Sequence, residues 1–171
     1  MNIADFHPDT VYVIYIDATP EKVWQALTSA EFSRQYFFGF AVEMEPKIGG
    51  TLAVRAPDGS LHIDGKVIAC DPPRKLTVTW NVTWPGLVDK LGQTLVTYEI
   101  EQAGDAVRLT MTESHERVLA ADILSGGRAG WPAILSSLKS LLETGRPLTL
   151  KTEPPQRMLA ALKKLGIQTP G

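Results

Sequence analysis

Cysteine occurs once in the 171 residues, as Cys70, so neither an intramolecular disulfide nor a multi-cysteine zinc or iron–sulfur site can form. A reducing compartment is thereby permitted. Histidine is scarce as well: His7, His62 and His115 lie far apart with no paired acid at ligand spacing, and His62 alternates out of phase with Leu61 and Ile63, so no metal is expected. Neither sign of charge dominates. With 17 Lys+Arg against 19 Asp+Glu the formal net charge is −2, which leaves no general basic field for nucleic acid. Long apolar runs are missing too, since the longest charge-free stretch, Leu76 to Val88, is interrupted by Asn81 and Pro85 and is too short for a membrane span. Met1 to Thr10 carries Asp5 and no basic-then-apolar pattern, so no export signal is read and a cytoplasmic location is expected. The glycine cluster Gly126-Gly127-Arg128-Ala129-Gly130 lacks the lysine and hydroxyl of a phosphate loop. It reads as a flexible connector, or as a gate whose glycines absorb dihedral change, and no cofactor is implied.

What is present is the composition of an ordinary globular domain: 44% hydrophobic and 21% charged. A chain of this length buries roughly 70% of its unfolded surface, enough for a core with a cavity in it. Val11 to Ile16 is β-branched and aromatic, and Thr19-Pro20 after it suits a helix N-cap and first turn. Ser29 is placed to cap a second short helix with Phe32, Tyr36 and Phe37 inward. From Phe40 to about Glu116 the period is two, punctuated by Gly49-Gly50, Asp58-Gly59, Asp71-Pro72-Pro73, Pro85-Gly86 and Gly104-Asp105, which predicts six strands. Leu76, Val78, Trp80 and Val82 fall on one face, with Thr77, Thr79 and Asn81 on the other. Trp131 to Glu143 carries Ile134, Leu135, Leu138, Leu141 and Leu142 at helical spacing and stops at Gly145. This order has one economical packing, a twisted antiparallel sheet curled around the last helix.

The same segments resemble a known family. Asp17-Ala18-Thr19-Pro20-Glu21-Lys22-Val23-Trp24 looks like the opening of SRPBCC or START-like domains, the helix-grip fold of birch-pollen-allergen-like proteins. Gly65-Lys66-Val67, Asp71-Pro72-Pro73-Arg74-Lys75-Leu76 with Thr79-Trp80, Val107-Arg108-Leu109-Thr110, and Gly130-Trp131 with the leucines up to Gly145 are similar to the branch named for activators of the 90-kDa heat-shock-protein ATPase. The resemblance runs in order from about Val11 to Gly145. It implies an α+β fold with a seven-stranded antiparallel sheet around a long C-terminal helix and two short helices after strand one. The domain then spans residues 1–145, with 146–171 as an extension. It also implies an apolar cavity between sheet and helix. Lipid carriers, hormone receptors and polyketide cyclases share the superfamily, so the fold does not choose an activity. The heat-shock activators carry a further amino-terminal domain for which there is no room before Val11, which weakens a co-chaperone-like role.

Candidate wall residues are Phe37, Phe38, Trp80, Trp84, Tyr98, Met111, Trp131 and Leu135, although core filling explains each of them singly as well. The only candidate acid–base pair is Glu113 and His115, which share parity with Leu109 and Met111. Because strand ends fray, the plainer expectation is that this pair is solvated. Ser114 points opposite to His115 and cannot form a nucleophilic dyad with it. The expectation for function is therefore non-catalytic binding of a small apolar molecule. The alternatives are a cyclase, dehydratase or hydrolase in the same cavity and a co-chaperone-like interaction module. In the extension, Arg146, Lys151, Arg157, Lys163 and Lys164 stand against Glu153, and Met158, Ala161, Leu162 and Leu165 form an apolar face. So short a helix needs a partner surface, either its own domain or a twin subunit in a homodimer formed through the extension.

Overall fold

The computed structural model describes residues 1–170. After a 3-10 turn at Ile3–Asp5 the chain enters β1 (His7–Ile16). Thr19 Oγ1 accepts from Lys22 N at 3.3 Å and so caps α1 (Pro20–Thr28), where the missing N–H of Pro20 costs nothing. Ser29 stands at the N-cap of α2 (Ala30–Tyr36), but its hydroxyl makes no capping bond. The corner is fixed from inside instead. Ser33 Oγ accepts from Val42 N at 2.8 Å, and Tyr36 OH donates to Ala26 O at 3.0 Å.

The strands that follow are β2 (Ala41–Met44), β3 (Thr51–Arg55), β4 (Leu61–Asp71), β5 (Lys75–Thr79), β6 (Asn81–Val82), β7 (Thr94–Ala103) and β8 (Ala106–His115). Seven of the eight form one antiparallel sheet in the order β1-β8-β7-β5-β4-β3-β2, and β6 pairs beside β5 on β4. First and last strands are thus neighbours, and the α1–α2 corner carries the chain from one sheet edge to the other. The single strand expected from Leu76 to Val82 is split at Trp80. Gly65 explains the split, because a Cβ there would lie 2.1 Å from Thr79 O; β4 bends at this close approach, pairing with β5 beyond it and with β6 before it. Thr77 and Thr79, expected on an open face, are buried at the middle of the sheet. Thr77 shares a hydrogen bond with Thr97, and Thr79 Oγ1 accepts from Lys66 N at 2.8 Å. Pro85-Gly86 leads into a short helix, α3 (Leu87–Leu91), rather than directly into the next strand.

The long helix, α4 (Ala121–Thr144), begins ten residues before Trp131, and the glycine cluster expected to be a connector lies inside it, as does Pro132. Tertiary contacts override these local helix breakers. A Cβ at Gly127 would lie 2.6 Å from Glu113 Oε1, and one at Gly126 would lie 2.1 Å from Met158 Sδ, so the glycines are notches that seat side chains from other elements. The concave sheet face supplies Leu76, Val78, Val96, Ile100, Val107 and Leu109 to a core shared with Leu138 and Leu141 of α4 and Val23 and Ala26 of α1. At its C-terminal end α4 is tied to the turn after β1, since Glu143 Oε1 accepts from Asp17 N at 3.0 Å and from Lys139 Nζ at 2.5 Å.

Beyond Gly145 the extension folds back, and α5 (Gln156–Lys164) packs on α4 with Leu162 and Ile167 buried. Lys90 Nζ of α3 donates to Leu165 O. Of the apolar face expected to seek a partner surface, Leu162 is buried against the chain itself, Met158 and Ala161 are half-buried and Leu165 stays exposed.

Candidate functional site

The grip is not filled evenly. Toward one end Leu138 and Leu141 close the core against the sheet, whereas toward the other a pocket of about 710 Å³ opens. It lies between the end of β8, the start of β4, α3, the first half of α4 and residues 150–155 of the extension. Phe37, Phe38, Trp80, Trp84 and Trp131 all line it. The Phe37 ring stands 6.1 Å from Trp80 and 6.3 Å from Trp131, and Trp80 and Trp131 are 5.3 Å apart, so these rings form one aromatic wall. Phe38 holds φ at 53°, a conformation rarely adopted by a bulky residue.

Tyr98, Met111 and Leu135 do not line the pocket; they are buried in the core. Parity put Tyr98 and Met111 on the correct face, but they pair with each other along β7 and β8 where the grip is closed. The pairs further along the same two strands, Val96–Glu113 and Thr94–His115, lead to the open end.

Glu113 and His115 are each only 7% exposed, so the strand end does not fray into solvent as expected. Three contacts organise them. Glu113 Oε2 accepts from Trp131 Nε1 at 2.6 Å, His115 Nδ1 is 2.7 Å from Asp9 Oδ2, and His115 Nε2 is 3.9 Å from Glu113 Oε1. Asp9 thereby fixes the imidazole orientation, leaving Nε2 toward Glu113. Burial pushes the Glu113 carboxyl above its ordinary range, with the nearby Asp9 charge adding to it; the Trp131 N–H, His115 and Arg128 pull the other way.

Asp9 was not legible in the alternation because it is the extra residue of a β-bulge. β1 pairs Pro8 with Ser114 and then Thr10 with Glu113, so Asp9 is skipped in the ladder and its side chain is re-aimed toward His115. His62 is skipped in the same way between Val54–Ile63 and Arg55–Leu61, and the bulge brings both His62 and Ile63 to the pocket despite their opposite parity. The His62 ring lies 5.1 Å from that of Phe40, and burial holds its pKa below the ordinary value. Trp84 Nε1 is buried without a hydrogen-bond partner. A second, more open depression of about 550 Å³ lies on α5 around Leu159 and Ile167. Among the described residues no group of three or more His, Cys, Asp or Glu side chains is gathered as a metal site, and no helix is long and apolar enough to cross a membrane.

No curated protein matches the chain. Among solved structures it is similar to a Mesorhizobium loti protein at 26% identity and a TM-score of 0.64, covering 78% of this chain and 96% of that one. A conserved Enterococcus faecalis protein of unknown function has 24% identity and a TM-score of 0.64, covering 94% and 89%. The Aha1 dimer from Colwellia psychrerythraea has 22% identity and a TM-score of 0.62, covering 79% and 96%. These likenesses establish the helix-grip fold. A family model described as Activator of Hsp90 ATPase homolog 1-like protein matches residues 17–143, from the turn before α1 to the last turn of α4, and the chain belongs to that family.

Proposed function

We propose that this protein binds a small, largely apolar molecule in the pocket at the open end of the grip, without chemistry of its own, in the cytoplasm. The observation that carries this reading is the pocket's make-up. Its volume of about 710 Å³ falls within the range of sites for small organic ligands, and its walls are largely aromatic and aliphatic, with the polar cluster at the end of β8, His62, and Lys151 to Glu153 of the extension as the main polar lining. The cytoplasmic setting accords with the single free cysteine, Cys70. The unit that binds is residues 1–145 together with the extension 146–171, because Leu150, Pro154, Met158 and Leu162 complete the wall.

The test is titration with Nile red, a neutral apolar dye, followed by displacement with neutral aromatic compounds. Saturable, competitive binding is expected, and Ile134→Arg at the wall should abolish it. Binding of nucleotides or metal ions only, with no saturable dye site, would overturn the reading. Native mass spectrometry of protein purified from its own host would identify a retained ligand directly.

A second reading, a cyclase, dehydratase or hydrolase in the same pocket, is favoured by one observation: the Asp9–His115–Glu113 chain has the geometry of an oriented acid–base pair. Turnover of a bound compound that is lost in His115→Gln would support it.

A further inference from the structure

We infer that the pocket selects an uncharged apolar molecule ending in a hydroxyl group, which is held between Glu113 and His115, over the carboxylate of the same skeleton. The inference rests on the apolar-pocket reading and assigns the polar end of the ligand. Glu113 Oε2 is occupied by the Trp131 indole, and His115 Nδ1 by Asp9. The two remaining atoms, Glu113 Oε1 and His115 Nε2, face each other at 3.9 Å, too far for a direct hydrogen bond. One oxygen can lie within about 3 Å of both. With Asp9 accepting from Nδ1–H, one proton held between Oε1 and Nε2 makes one of them a donor and the other an acceptor, and a hydroxyl satisfies both because it accepts and donates at once. Both residues line the pocket and are more than nine-tenths buried, so this bridging position is a buried polar point in a largely apolar space.

Charge decides against a carboxylate. The pocket lining carries Glu113 and Glu153 against Lys151, and Asp9 stands behind His115. Arg128, whose charge reaches Glu113, is engaged with Asp9 O and Thr10 Oγ1 and is not part of the pocket lining. A ligand carboxylate, which has no proton to donate, would leave the acceptor of the pair unsatisfied and add an anion to a site where Asp9 and Glu153 already outnumber Lys151. Trp84 adds an indole N–H, buried and unpartnered on the same lining, that can serve a carbonyl or ether oxygen elsewhere on the molecule.

The experiment uses three probes with one ring system, naphthalene, 2-naphthol and 2-naphthoate, each displacing Nile red from the full chain and from Glu113→Gln at neutral pH. With the wild-type chain, 2-naphthol should displace the dye at about tenfold lower concentration than either of the others. Glu113→Gln should leave naphthalene unchanged and bring 2-naphthoate within about threefold of 2-naphthol. If none of the three displaces the dye, the apolar-pocket reading itself fails. If naphthalene competes but 2-naphthol has no advantage, or 2-naphthoate binds as well, the hydroxyl assignment is wrong while the pocket stands. Should the variant not fold, the three wild-type titrations by themselves separate these outcomes.

Discussion

Alanine at Gly126, Gly127 and Gly130, one position at a time, separates helix propensity from packing within α4. Each replacement gains about 0.5–1 kcal/mol from the lower backbone entropy of alanine in the unfolded chain. At Gly130 nothing lies within 4 Å of the new methyl, so that gain should appear undiminished, raising the melting temperature by about 1–4 °C for a chain of this size. At Gly127 the methyl would lie 2.6 Å from Glu113 Oε1 and 3.0 Å from Oε2. The carboxylate cannot yield freely, because the Trp131 indole holds Oε2 at 2.6 Å. Breaking that bond costs about 1.5–3 kcal/mol, so Gly127→Ala should be destabilised by a net of about 0.5–2.5 kcal/mol. At Gly126 the obstacle is Met158 Sδ at 2.1 Å, the end of a flexible side chain, which swings aside and leaves stability nearly unchanged while loosening α5. Urea denaturation followed by tryptophan fluorescence measures all three. A Gly127→Ala variant as stabilised as Gly130→Ala would refute the seating of Glu113 against α4, and with it the geometry of the polar cluster.

Leu138 is fully buried at the closed end of the grip, so Leu138→Ala should cost about 2–5 kcal/mol by urea denaturation; a loss below about 1 kcal/mol would mean that it borders open space. Leu162→Asp should detach α5, removing about 1.5–3 kcal/mol of burial, raising Nile red binding and leaving the mass by light scattering unchanged. A halved mass would show instead that the extension joins two subunits. Because burial raises the folded-state pKa of Glu113 above its ordinary 4.5, the folded chain holds this proton longer than the unfolded chain does. Its contribution is therefore lost as pH rises from about 4.5 through the raised value. Glu113→Gln lacks this slope, so its stability relative to wild type should improve between acid and neutral pH; a constant difference between urea midpoints would contradict the sign.

Local pattern alone was enough for much of the molecule. The Thr19-Pro20 start of α1, the Asp58-Gly59 and Gly104-Asp105 hairpins and the stop of α4 at Gly145 are set by residues within a turn of each other. The parity that puts Glu113 and His115 on the core face is equally local, and the ordered series of motifs suffices for the family. Tertiary structure decided what depends on partners distant in the chain. Gly126, Gly127 and Pro132 are helix breakers when read locally, and they become helical because Met158 and Glu113 fill the notches the glycines leave. Asp9 and His62 reach the site through bulges, which add one residue to a strand and so defeat any period-two reading. Which aromatic residues bound space and which fill core also lay beyond the sequence: Trp80 and Tyr98 follow the same alternation, and only the closing of the grip over one end of the sheet separates them. Periodicity tells a side chain which face to take, whereas the site depends on how far along that face the opposing helix and the folded-back extension come to rest.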